Sequence, residues 1–572
     1  MTGNQFIAWI TTPGNQITLT GQTITDQVNL TQNIIADGVI IEDCIFEEGV
    51  FFENIDLNCG VRFVRCTLQK NLSINKCIAK NYDQEFNFDG YHLDFKGTTI
   101  NGLYFNDVNQ LERGVRICDK SNIDRFHLRT LIANKGSFAV NDSTIENLFD
   151  ISQAVLSNDV SIREDSIIDS KVRFENVTCA SFVFTGSTFK KDIHIWAGKT
   201  GSLIFNDGLF EDDLSINAVP ISSNMTIVGT DFKKSINFTL RDKTNDKTGV
   251  LTQIYIQSGK FGEQFIINGD GGSVEELIIE TSKQLEGALY FNSINLNQTK
   301  ISGDNYNSNI VFNHSNFNSL NFDFFNNYST LSIISAKSFN QNSELAIVHS
   351  NLGKTHFFNV FLNTFDRIKI YNSVLTEIIV ANVKWFEDSK LNPSISTSSE
   401  EYTQRKEIYR QIKFALEKQG DRISSLRFKA MEMSAYKSEM FAKVKWYCRI
   451  FGIDRFILWV GQTNNFGQNW LKPALFALGF TLIFYVLIIV GVSENLGYSF
   501  NFEFDSIKLT WKEFVNHAYA IPQLLNPAHV LSRIFPEYKD IGFSAYLFDF
   551  LQKIFLAFFI FQIISAFRKY MK

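Results

Sequence analysis

The sequence predicts a parallel β-solenoid of about 22 residues per coil, followed by an α-helical hairpin and two transmembrane helices. Three observations carry that prediction. Apolar positions recur every 22 residues or so through the first 390 residues. Only three of the seven prolines, Pro13, Pro220 and Pro393, fall in the first 400 residues, which permits long sheet ladders that proline would interrupt. Near the C-terminus, Pro473 to Ser493 is a run of 21 residues without a charge.

The balance of the whole chain agrees. With 572 residues, 45% hydrophobic and 20% charged, it is too apolar for a disordered protein and too long for one ordinary domain. A net charge of −6 argues against nucleic acid as a partner, since that would need a concentrated basic face. The opening MTGNQFIAWITTPGNQ has no basic n-region and is not expected to be a signal peptide.

The repeat begins in short phrases where a small polar residue leads into an apolar one. The apolar ends are Ile100, Ile123, Ile145, Ile167, Phe189, Phe210 and Phe232, spaced 21 to 23 apart. Phe46 and Leu68, Phe317 and Phe339, and Leu352 and Val374 are each 22 apart. Alternating pairs flank each phrase, such as Phe182-Val-Phe184 before and Ile193-x-Ile195 after. A short strand cannot bury its face alone, but stacked coils build a continuous core. Residues 1–392 are therefore expected to form the solenoid, with room for roughly 15 coils between 46 and 374, a rod of about 70 Å. The irregular steps from 68 to 100 and from 232 to 261 mark bulging loops, and 269–313 is read as the place of a larger insertion. The seven cysteines form no CxxC pair, so buried reduced thiols are expected, with Cys44 and Cys66 in equivalent inward places.

After Pro393 the pattern turns helical. Ser399 is expected to cap a helix from Glu400 to Lys418, with Gly420 ending it and Asp421 capping a second that runs to about Lys445. These two helices make a hairpin linker, 393–445. In 446–472, Trp446, Tyr447, Phe451, Phe456 and Trp459 interleave with Lys445, Arg449 and Arg455, the pattern of an interfacial amphipathic helix or an internal hinge helix.

Tyr409, Arg410, Ile412 and Lys413, then Gly420, Asp421, Phe428 and Glu432, resemble the helical linker of bacterial pentapeptide-repeat membrane proteins. The resemblance continues in Asn464–Trp470 and in Ala566–Tyr570. It implies a right-handed β-helix joined through that linker to a two-span, channel-like C-terminus. The departure is in the repeat: strict pentapeptide repeats take 20 residues per turn, whereas this period is 22 with blurred pentads.

Residues 473–493 are long enough for the ~30 Å hydrocarbon core. The second span, 544–567, contains Asp549 and Lys553 one turn apart, where they could pair; a buried hairpin helix is the alternative reading. A basic tail, 568–572, follows it. Residues 400–472 carry 14 Lys/Arg against 8 Asp/Glu, and the loop 494–545 carries 4 against 6. By the positive-inside rule both termini face the cytoplasm and the loop 494–543 lies outside. The compartment implied is the inner, plasma membrane of a bacterium.

Catalytic motifs are missing: there is no GxxxxGK[ST], HExxH or GxSxG, and the eight histidines are scattered. No enzyme activity, cofactor or metal is expected, and Asp142, Asp212 and Asp213 read as turn acids. The loop offers the one special feature. Leu509–Leu525 reads as a short re-entrant helix followed by Asn526-Pro-Ala-His529, and Asn516, His517, Gln523, Asn526 and His529 either line an opening or cover an exposed loop. No TVGYG-like segment follows, so no potassium filter is inferred.

Two functions fit. One is a membrane-anchored cytoplasmic scaffold or sensor whose solenoid binds a protein partner. The alternative is a homo-oligomeric, channel-like or membrane-perturbing effector gated through the hairpin, because a two-span monomer cannot enclose a pore. Both take the lipid bilayer as a partner.

Overall fold

The computed structural model describes residues 1–13, 18–35, 38–57, 59–80, 90–196, 198–217, 221–242, 247–248, 250–392, 398–442, 453–492, 511–538 and 541–567. The chain divides into two compact units, Met1–Asn392 and Pro393–Lys572.

The first unit is a parallel β-solenoid of about 15 turns at about 22 residues per turn. Forty strands join in one sheet, each paired in parallel with its counterparts in the coils before and after. One row runs in register through Phe46, Leu68, Ile100, Ile123, Ile145, Ile168, Phe189, Phe210, Phe232 and Phe261. All ten are buried, and stacked rings continue the row, with Phe189–Phe210 and Phe210–Phe232 centroids both 4.8 Å apart. Burying one such side chain is worth roughly 1.5–3 kcal/mol.

The corners explain the small polar residues of the repeat. Asp43, Arg65, Gly97, Lys120, Asp142, Asp165, Gly186, Asp207 and Gly229 all take positive φ there, which turns the chain between strands. Their N–H groups stay in the inter-coil ladder, as in Arg65 N to Lys96 O, 2.8 Å. The residue after each corner points inward. At Thr98, Ser121 and Ser166 the buried hydroxyl donates to a carbonyl of the coil before, Phe63 O, Phe95 O and Val140 O, at 3.1–3.3 Å. Cys44 and Cys66 occupy the same ladder, and Cys66 Sγ donates to Ile41 O at 3.2 Å. None of the six described cysteines is in a disulfide.

Three of the 22-residue spacings are one residue out. Ile168, not Ile167, pairs with Ile145, and Ile167 is 37% exposed. Phe317 pairs with Ser338 while Phe339 faces out, and Val374 pairs with Asn351 while its own side chain is 43% exposed. Coils of 21 and 23 residues alternate with those of 22, and a one-residue slip turns a side chain to the other face.

The loop after Phe232 contains a small antiparallel ribbon, Arg241–Asp242 with Lys247–Thr248. Residues 81–89, within the other irregular step, lie outside the described residues. The stretch 269–313 holds no insertion. Ser273–Asn292, Asn295–Asn305 and Asn307–Asn313 are strands in register with their neighbours. Ser273–Asn292 runs as one strand of 20 residues where other coils have separate short strands, so the turn residues that mark the repeat are sparse there. Gly287, within it, has φ 101°, and a Cβ there would lie 1.9 Å from Phe261 O.

Two further features were not read from the sequence. A helix, Gly3–Thr11, covers the first coils through a Thr2/Gln5 capping box, with Phe6 edge-on to Phe46 at 5.3 Å. Asp94, fully buried, is clasped by Arg62 at 2.6 Å and Arg116 at 2.8 Å from the adjacent coils.

In the second unit the hairpin helices are Ser398–Lys418 and Arg422–Ala442. Ser399 thus lies inside the first turn, not before it. Gly420 has φ 80°, Asp421 N returns to Leu416 O at 3.0 Å, and the Asp421 carboxylate accepts from Ser424 N at 3.0 Å. A helix follows at Ile453–Gln462; Lys445, Trp446, Tyr447, Arg449 and Phe451 lie outside the described residues, as does the tail 568–572. Two helices, Leu471–Val492 and Phe543–Phe567, are long and apolar enough to cross a membrane. The first starts two residues before Pro473, which costs nothing because first-turn N–H groups have no helical acceptor.

Candidate functional site

The two apolar helices pack antiparallel through aromatic rings. Trp470 meets Phe567 at 5.6 Å, Phe476 meets Phe559 at 6.0 Å, and Phe484 meets Phe555 at 5.8 Å. The described parts of the two resembling motifs therefore come together at Trp470 and Phe567, and Asn464 Nδ2 also donates to Gln562 O at 3.2 Å.

Between these helices the chain does not form the continuous helix expected over Leu509–Leu525. It is helical over 511–516, turns at 517–519, and is helical again at Ala520–Leu524. Pro522 is the reason: a continuous helix would drive its ring into the Ala518 carbonyl. After the break, Pro522 sits in a first turn, where it fits.

This segment folds back between the helices. Ala520, Leu524, Leu531, Ile534 and Phe535 pack with Phe484, Tyr485, Ile488, Ile489, Val492 and Ala545. Leu525 reaches further, to Ala477, Leu556 and Phe559. At 1.5 Å per residue, Ala477 lies about 22 Å along the first helix from Val492.

Side chains from the long helices satisfy the irregular backbone. Gln552 Nε2 donates to Leu524 O at 3.1 Å, and the Tyr485 hydroxyl donates to Phe514 O. Asp549 binds from two sides: His529 Nε2 lies 2.5 Å from Oδ1, and Lys553 Nζ lies 2.8 Å from Oδ2. The other His529 nitrogen meets Asn526 O at 2.6 Å. Both ring nitrogens thus face oxygen atoms, which fixes the ring between the turn at Asn526 and the long helix.

Of the five residues named for an opening, His517 and His529 are buried in contacts, and Asn516, Gln523 and Asn526 are exposed. His517 Nδ1 lies 2.9 Å from Glu513 O, and Nε2 lies 3.3 Å from the Tyr538 hydroxyl. The two histidines are therefore fastenings of the segment, while the three amides lie on its exposed surface, where Asn526 Oδ1 accepts from Ala528 N at 3.0 Å. Asp549 was read as half of an i,i+4 pair; its bond to His529 and the Gln552 bond were missed. Polar residues at 549, 552 and 562 within an apolar helix were the available signal.

The linker residues also converge. Tyr409 and Phe428 are buried against each other at 6.1 Å, and Lys413 Nζ meets Glu432 at 2.7 Å. Lys406 makes a second such pair with Glu439 at 2.6 Å. Arg410 stands apart, paired with Glu407 on the exposed side at 2.8 Å.

Compared with known protein families, with curated proteins and with solved structures, the chain finds no match in any of the three.

Proposed function

We propose that this chain is a membrane-anchored β-solenoid scaffold or sensor. It would be non-catalytic, held in a bacterial inner membrane by the two apolar helices, with the solenoid and both termini on the cytoplasmic side. The observation that carries the reading is an aromatic strip on the solenoid's exterior. Phe324 is 64% exposed and stacks on His349, which meets Tyr371; Tyr328, 59% exposed, stacks on Tyr306 at 4.8 Å. Exposed aromatics in a row are costly to leave in water and suit a protein partner. A photo-crosslinking residue at Phe324 should capture one defined partner in cells, and the same residue at Lys190 should not. Equal labelling from both positions would sink the reading.

A second reading rests on the folded-back segment. Non-helical backbone at membrane depth is tolerated where protein buries it or where it lines a water-filled cavity. Asn516, Gln523 and Asn526 would face such a cavity when several copies assemble. The oligomeric mass in nanodiscs separates the two: a closed tetramer or larger ring supports the pore, and a monomer or dimer excludes it.

A further inference from the structure

We infer that the second unit carries a binding site for an anionic phospholipid at the start of its first apolar helix. The inference rests on the membrane-anchored reading. A groove of about 500 Å³ is lined by Gln462, Thr463, Lys472, Leu475 and Phe476. Its two sides differ in chemistry. Leu475 and Phe476 belong to the first apolar helix and are 59% and 46% exposed, an apolar wall of the kind acyl chains cover. Gln462 and Thr463 close the preceding helix and supply polar groups at the other side.

Two ammonium groups from separate elements meet this polar side. Lys472 stands in the first turn of the apolar helix, exposed, with no ion pair among the described residues. Lys437, from the second hairpin helix, donates its Nζ to the Gln462 side-chain carbonyl, which brings a second positive charge to the rim. None of the lining residues is acidic. An amphiphile with a negative head and two apolar tails matches this arrangement: the phosphodiester beside the lysines, the chains along Leu475 and Phe476. A zwitterionic lipid would bring its own ammonium toward two others, so the site discriminates by headgroup charge. A lysine at the end of any span snorkels to the interface. The difference here is the concave wall, to which a second helix contributes.

The test uses the full-length protein in nanodiscs of equimolar phosphatidylglycerol and phosphatidylcholine. Lipids retained after mild extraction are counted by native mass spectrometry. Phosphatidylglycerol should be retained in preference, and Lys472→Gln should reduce that preference about fivefold, the effect of one lysine near a charged headgroup. Lys472→Arg should keep it, and millimolar inorganic phosphate should not displace the lipid. Equal retention of both lipids, an unchanged Lys472→Gln protein, or displacement by phosphate would overturn the site. Flotation with liposomes separates the levels: a protein that floats without headgroup preference refutes this site alone, and one that does not float refutes the membrane reading as well.

Discussion

The solenoid and the membrane-type unit meet the same demand, that every buried backbone polar group find a partner, by opposite means. In the solenoid each coil bonds the next, so most side chains are free to fill the core, and small hydroxyls, thiols and a few asparagines assist at places such as Thr98, Ser121 and Asn109. In the second unit the folded-back segment has no neighbouring strand. Its carbonyls depend on individual side chains, Gln552 for Leu524 and Tyr485 for Phe514. Repetition spreads the load over many equivalent positions. The singular segment concentrates it in a few polar groups, each of which should matter more than any one hydroxyl in the solenoid.

The largest effect should come from breaking the repeated core itself. Phe210 is buried between Phe189 and Phe232, at 4.8 Å from each ring. Phe210→Asp leaves an unpaired charge in an apolar stack and should cost upward of about 4 kcal/mol. Because coils contact only their neighbours, the loss should be local, with proteolysis concentrated near 189–232 and distant coils intact. A Phe210→Asp protein that melts like the wild type would show the register to be wrong.

That register was legible because a 22-residue period is repeated many times and each repeat carries the same small-polar-to-apolar phrase. Its errors have one cause. Ile167 and Ile168 are both β-branched and apolar, so composition does not say which faces in; only the neighbouring strand does. In 269–313 the backbone keeps its pairing, but Ser273–Asn292 runs as one strand with few of the turn residues that mark other coils. The second unit's two long apolar helices were legible from hydropathy, the second helped by the basic run Arg568, Lys569 and Lys572 after it, and the hairpin from Gly420 and Asp421. The His529–Asp549 bond was not, because it joins residues 20 apart through a fold-back with no periodic signature. Pro522 was visible in the sequence, but its consequence, a break at 517–519, depends on that same fold-back.

The next effect tests the concentrated load. Asp549→Ala strands His529 and Lys553 without their shared carboxylate and should cost about 3 kcal/mol, the usual result of removing one partner from a buried pair. Thermal unfolding in detergent should show it, and adding His529→Ala should recover part of the loss. If the double variant is simply additive, the bond does not hold the segment.

A smaller effect returns to the solenoid through its thiols. Burial pushes Cys77 and Cys179 up to about 11 from an ordinary 9.0. Each folded value exceeds the unfolded one, so the stabilisation is full below pH 9 and is lost as pH rises through about 11. At about 1.4 kcal/mol per unit, each thiol accounts for at most roughly 2–3 kcal/mol by that point. Cys77→Ala should flatten part of the alkaline decline of the melting temperature, with the rest left to Cys179 and the other buried thiols whose values burial raises, such as Cys118. An equally steep decline in Cys77→Ala would mean that this thiol ionises without unfolding its coil.

The smallest effect lies on the solenoid's exterior, where coils are also joined by charge. Hydrogen bonds from Lys190 hold the Asp169 carboxyl below its usual range, Arg65 does the same for Asp43, and Lys135 for Glu112. These folded values are depressed, so their stabilisation is present above the ordinary carboxylate range and is lost as pH falls below about 4. All three pairs are exposed to solvent, so salt should screen them. Melting curves at low and high salt should therefore separate slightly near neutral pH, where the pairs are formed, and converge below about pH 4. Lys190→Gln should remove a share of that separation without touching the alkaline decline. A separation that Lys190→Gln leaves unchanged would mean that this pair adds nothing measurable to the joining of its coils.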